Sequence, residues 1–86
     1  MGVSISIEGR IFPGDEARIA VLDRGFLFGD SAFEVTRTYG GVPFEQSAHL
    51  ARLARSCERI LIPMPASVDT LSQEIAATVA HAGNVE

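Results

Sequence analysis

Lysine is missing from this sequence altogether: all seven cationic side chains are arginine. Lysine is ordinarily among the commonest residues, and its absence fits the codon usage of a G+C-rich genome. Whatever the cause, the chain has no side-chain amine, so no side chain here can form a Schiff base. Cysteine is nearly absent too. Cys57 stands alone, which excludes an internal disulfide, and one cysteine with two histidines fits no zinc-ligand spacing. Excess positive charge is lacking: the net charge of −4 speaks against nucleic acid, whose recognition needs a basic footprint. No apolar run approaches the ~20 residues that cross a bilayer. No signal peptide is apparent, and with an unpaired cysteine this points to a reducing, cytoplasmic compartment.

What is present is apolar enough to fold. Hydrophobic residues make up 47% of the 86, which supports one small domain, residues 1–86. A domain of this size buries a modest share of its surface and needs a staple or a partner to be more than marginally stable.

Val3-Ser4-Ile5-Ser6-Ile7 alternates apolar and polar residues with period two, which predicts a half-buried strand. Gly9-Arg10 offers a turn, and Ile11-Phe12 begins a return strand that Pro13-Gly14-Asp15-Glu16 breaks. Arg18 to Leu22 reads as a third short strand. Asp23 to Asp30 has no clean period and carries three large apolar residues, so it reads as a loop that something else must cover. Ser31 to Tyr39 reads as the longest strand, closed by Gly40-Gly41 into a hairpin with Val42-Pro43-Phe44.

From Gln46 the period becomes helical, with Leu50, Leu53, Cys57 and Ile60 on one stripe. Pro63 and Pro65 stop that helix. Ser67 is suited to cap a second helix, Asp69 to its first turn, and Val68, Leu71, Ile75 and Val79 form its apolar stripe. Gly83-Asn84 is a helix stop, and Val85-Glu86 just beyond it reads as a segment boundary. The expected fold is α+β: two layers, a largely antiparallel sheet of short strands packed by two helices.

The run from Leu22 to Tyr39, LDRGFLFGDSAFEVTRTY, resembles the signature stretch of the fold-type IV (class IV) pyridoxal-phosphate (PLP) aminotransferases. His49-Leu50-Ala51-Arg52-Leu53 is similar to that family's H-x-x-R-L helix, and Ile62-Pro63-Met64-Pro65 to the segment after it. Glu8-Gly9 and the region from Asp15 to Val21 fit as well, so the resemblance covers nearly the whole chain. It implies the amino-terminal small domain of a two-domain enzyme. In the family, the Schiff-base lysine, the carboxylate on the pyridine nitrogen and most of the phosphate site lie in a larger carboxy-terminal domain, and a second subunit completes the active site.

Residue by residue, the resemblance places Arg52 on the cofactor phosphate, a task suited to a guanidinium's charge-assisted, bidentate hydrogen bonds. Without the motif, Arg52, Arg55 and Arg59 form an i, i+3, i+7 stripe that reads as a solvated face, and Arg55 and Arg59 keep that reading. His49 falls near the cofactor as an orienting residue. Phe28 and Phe33 match substrate-pocket positions, Phe28 in some members reaching across a dimer; ordinary packing is the alternative for both. Arg37 matches a position near the substrate carboxylate or the pocket entrance; its alternative is a salt bridge to Glu34 or Glu45. Asp23, Arg24 and Asp30 are expected to hold the shape of their loop. No catalytic residue is expected in this chain.

The implied activity is transamination between an amino acid or amine and a 2-oxo acid, with PLP as cofactor, a carboxy-terminal PLP domain and a second copy as partners, and no membrane. Phe33 and Arg37 lean toward the branched-chain type; Val35 and Phe28-Gly29-Asp30 lean toward the D-amino-acid and R-amine types. An aminodeoxychorismate lyase-type enzyme and a stand-alone, non-catalytic binding module are the alternatives.

Overall fold

The computed structural model describes residues 3–83; Asn84 of the expected helix stop and the Val85-Glu86 boundary lie outside the described residues. Strand β1, Ser4–Ile7, pairs antiparallel with β2, Arg10–Pro13, with Ile7 opposite Arg10. The loop between them is Glu8-Gly9, both at positive φ (52° and 81°). That is the conformation whose twist suits a two-residue hairpin. Gly9 adopts it freely, whereas Glu8 has a Cβ to accommodate. Gly14 N–H donates to the Val3 carbonyl at 2.9 Å and carries the pairing past the strand ends.

The alternation in β1 is real, but its faces are the reverse of the usual order. Ser4 and Ser6 turn toward a helix, while Val3 is 71% and Ile5 36% exposed. The helix is α3, Val68–Ala82, and Ser4 Oγ meets His81 Nδ1 on it at 2.8 Å. Ser6 shares a shallow groove with Leu71, Ile75 and Val79 of α3, so the apolar stripe of that helix rests on the serine side of the hairpin.

Helix α1, Arg24–Phe28, occupies a stretch expected to be a loop. Asp23 caps its start by accepting from the Phe26 N–H at 3.1 Å, and Gly29 ends it at φ 69°. Arg24 reaches over to Asp30, Nη2 to Oδ2 at 2.9 Å, so the three charges hold the local shape as expected. Five residues is too short a helix to show a period in the sequence.

Two expected strands are not formed as such. Arg18 to Leu22 makes no ladder, and Ile19, Val21 and Leu22 stand 60% or more exposed. Of Ser31 to Tyr39, only β3, Thr38–Tyr39, is paired, with β4, Val42–Pro43. The physical reason is common to both: a strand is defined by a partner strand, and among the described residues no ladder is formed beside 18–22 or 31–36, the hairpin reaching back only to the Arg37 carbonyl. The result is two separate two-stranded antiparallel sheets. The period of two nonetheless persists through the unpaired part. Ala32, Glu34, Thr36 and Thr38 are half-buried, and Phe33, Val35, Arg37 and Tyr39 are exposed.

Helix α2, Gln46–Arg59, follows the predicted stripe: Leu50 and Cys57 are the buried apolar residues among those described, at 5% and 6% exposure. Leu53 is half-buried, but Ile60 lies past the helix end at 48% exposure. The end is a Schellman motif, with Ile62 N–H on the Cys57 carbonyl and Leu61 N–H on that of Glu58. Leu61 fills the left-handed position at φ 60°. In α3, Ser67 caps the first turn through the Thr70 N–H at 3.1 Å, Asp69 lies in that turn and Gly83 closes the helix. Gln46 Nε2 donates to Ser72 Oγ, tying α2 to α3. The arrangement is a small α+β domain in which α3 lies on β1 of the first hairpin and α2 packs on α3. No helix of the described residues is long and apolar enough to cross a membrane.

Candidate functional site: a carboxylate clamp on Arg52 beside an exposed strand face

Glu34 sits on the inward side of the 31–39 segment, where its carboxylate faces α2. His49 and Arg52 are three residues apart on that helix and so share a side. The three meet. Arg52 Nε donates to Glu34 Oε2 at 2.8 Å and Nη2 to Oε1 at 2.7 Å, a bidentate pair. His49 Nδ1 lies 2.8 Å from Oε1. Arg52 Nη2 also comes within 3.2 Å of His49 Nδ1. A ring nitrogen that donates to Glu34 has no lone pair for Arg52. The shorter contact, to a carboxylate, fixes the tautomer as Nδ1–H donating to Glu34.

The electrostatics follow from the hydrogen bonds. Those from Arg52 and then His49 lower the Glu34 pKa from 4.5 to about 2, against a smaller opposing effect of burial. The same pairing raises the Arg52 pKa. Glu34 and His49 are largely shielded, with side chains 14% and 22% exposed, while Arg52 remains 59% exposed. The guanidinium is thus anchored along its Nε–Nη2 edge, and Nη1 takes no part in the clamp.

The outward side of the segment carries the other candidates. Phe33 is 80% exposed and Val35 75%. Arg37 places its guanidinium carbon 4.9 Å from the Tyr39 ring centroid, and Tyr39 meets Phe44 edge to face at 5.4 Å. The alternative partner for Arg37, Glu34, belongs to Arg52 and His49 instead; no ion pair joins Arg37 to a carboxylate among the described residues. Phe28 lies apart from both groups, on α1, with Arg24 over its ring at 5.4 Å. It is exposed and not in the ordinary packing its residue type favours. Arg55 and Arg59 are exposed, in keeping with a solvated stripe.

Glu34 as the clamp escaped the sequence, although its signal was available in the alternation, which also puts Tyr39 on the face of Arg37. Glu34 falls on the Thr36 side, away from Arg37, and an inward carboxylate needs a cation from the element packed there.

The sequence matches known proteins. The family model for amino-transferase class IV matches residues 31–86. A D-alanine aminotransferase of Bacillus licheniformis is 33% identical over 73 residues, 85% of this chain and 26% of that protein. A D-alanine aminotransferase of Listeria innocua is 33% identical over 87 residues, 96% of this chain and 30% of that one. A putative branched-chain-amino-acid aminotransferase of Methanocaldococcus jannaschii is 30% identical over 77 residues, 90% of this chain and 27% of that protein. The chain therefore spans less than a third of the length of these relatives. The matched stretch holds the 31–39 segment, the Glu34–His49–Arg52 clamp and both long helices, and the chain belongs to the class IV aminotransferase family.

Proposed function

We propose that these residues form the small amino-terminal domain of a PLP-dependent transaminase that moves an amino group between an amino acid and a 2-oxo acid. The observation that carries this reading is the clamp: a guanidinium anchored along one edge by a bidentate carboxylate, with its remaining N–H donors free of that clamp and exposed. Such a group fits a phosphate ester. Glu34 offsets the charge of Arg52, so the contribution is a preorganised set of donors more than a net positive field. When bound, PLP supplies the electron sink on which amino-group transfer depends.

Arg52 holds the phosphate oxygens through the donors that Glu34 leaves free. Glu34 and His49 keep that guanidinium from swinging to solvent. Phe33 and Val35 give the substrate an apolar wall, Arg37 receives its carboxylate, and Phe28 on α1 borders the pocket from a second element. The amine that anchors the cofactor lies elsewhere in the full-length protein, because the present residues include no lysine. A larger PLP domain and a second copy of the chain are the proposed partners, and the reducing cytoplasm, where Cys57 stays a thiol, the proposed compartment. Support for further protein packed on this one comes from the apolar side chains left open on α1 and the 31–39 segment: Phe26, Phe28, Phe33 and Val35 are each more than 60% exposed. That weighs against a stand-alone module.

The test is a donor panel on the full-length protein with PLP and 2-oxoglutarate or pyruvate. D-alanine is placed first because two of the relatives bear that name, followed by branched-chain L-amino acids and simple R-amines. Amino-group transfer to the 2-oxo acid is expected. Release of pyruvate from aminodeoxychorismate with no transfer to any acceptor would replace the reading with the lyase.

A further inference from the structure

The outward face of the 31–39 segment contains one relationship that the family assignment does not use. Arg37 is exposed, has no carboxylate partner among the described residues, and lies over the Tyr39 ring at 4.9 Å. Tyr39 is in turn fixed by Phe44, edge to face, at 5.4 Å with the ring planes at 77°. The backbone locks this stack. Tyr39 pairs with Val42 across the hairpin, and Phe44 N–H donates to the Arg37 carbonyl at 2.8 Å, so all three side chains emerge from one hydrogen-bonded turn.

A long cationic side chain in water samples many rotamers, and ordering it on binding opposes affinity. An aromatic face under the guanidinium removes part of that freedom beforehand. It does so without consuming N–H donors, because the attraction is to the ring's quadrupole and not to a lone pair. A carboxylate partner such as Glu34 would have oriented Arg37 equally well but would have taken its donors and offset its charge. The two arginines are therefore held by different means.

We propose that Tyr39, buttressed by Phe44, is a positioning residue that preorients Arg37 for the carboxylate of the amino-acid substrate, and so helps set preference for amino acids over simple amines. This rests on the reading that Arg37 receives the substrate carboxylate. Tyr39 acts through its ring; its hydroxyl is dispensable.

The experiment uses the full-length holoenzyme and measures KM and kcat for an amino-acid donor and for a matched amine lacking the carboxylate. Tyr39→Leu raises the ratio of the two KM values by about two- to fivefold, the scale of an exposed cation–π contact, with a smaller change in the corresponding kcat ratio. Tyr39→Phe restores the ratio, and Tyr39→Trp holds or lowers it. In a double-mutant cycle the effect of Tyr39→Leu on the ratio disappears when Arg37 is alanine, whereas a merely structural role adds independently. Should Tyr39→Leu not fold, the Phe and Trp variants carry the test, and a raised ratio in Tyr39→Phe overturns the proposal. An unchanged ratio in a folded Tyr39→Leu, or additivity in the cycle, also overturns it. If Arg37→Ala itself leaves the ratio unchanged, the underlying reading of Arg37 falls, and the platform with it. A ratio that responds to Arg37→Ala but not to Tyr39→Leu overturns the platform alone.

Discussion

Glu34 meets Arg52 with both carboxylate oxygens, at 2.8 and 2.7 Å, and takes a third hydrogen bond from His49 at 2.8 Å. Its pKa in the folded chain lies near 2, below the ordinary 4.5. A depressed carboxyl contributes stability above its unfolded pKa and loses it as pH falls through the folded one. The clamp therefore weakens from about pH 4.5 down to about pH 2. An NMR titration of the side-chain carboxyl is expected to give a midpoint near 2, and Glu34→Gln is expected to flatten acid destabilisation in that window. A midpoint at about 4, the range of an unpaired carboxyl, would show that the pair does not form in solution.

Arg52 carries the proposed phosphate contact. In the full-length protein Arg52→Ala is expected to weaken PLP binding by about 1.5–3 kcal/mol, the scale of a hydrogen bond to a charged group. Arg52→Lys keeps the charge but not the fork that Glu34 holds, so it falls short of wild type. Equilibrium dialysis against PLP reads both. Wild-type retention in Arg52→Ala would return Arg52 to the solvated stripe of Arg55 and Arg59.

The alternation of exposure along the 31–39 segment separates two substitutions that look equally mild. Phe33, on the outward side, is expected to change the ranking of amino donors when replaced by alanine. Thr36, on the inward side, is expected to change stability and leave the ranking alone. Donor panels on the two variants decide it. The opposite pattern would mean the strand faces the other way, and every side chain on it would need reassignment.

Leu61 occupies the left-handed position of the α2 Schellman motif at φ 60° and is 90% exposed. It thus bears the steric cost of a Cβ in that conformation with little packing to offset it. Leu61→Gly is expected to stabilise the chain by about 0.5–1 kcal/mol, the left-handed penalty less the entropy that glycine loses on folding. Urea denaturation gives the measurement: a higher midpoint at unchanged slope confirms it, and a lower midpoint would mean Leu61 packs against something in solution.

Local rules were enough for the parts of this protein whose physics is local. The caps at Ser67 and Gly83, the stripe through Leu50 and Cys57, and the side-to-side alternation of residues 31–39 each depend on spacing within one element. The H-x-x-R-L helix and the stretch before it were enough to point to the class IV aminotransferases, because several motifs in fixed order leave few other families.

Tertiary structure decided what lies against what. Arg18 to Leu22 has strand-like residues but no neighbour to pair with among the described residues, and pairing cannot be read from one segment. The serine side of β1 packs on α3, where Ser4 meets His81, a contact between residues 77 apart. The sequence offered Glu34 to Arg37, but α2, laid on the inward side of the segment, gives it to Arg52. Alternation then left Arg37 facing outward, with the Tyr39 ring as its support and its N–H donors open.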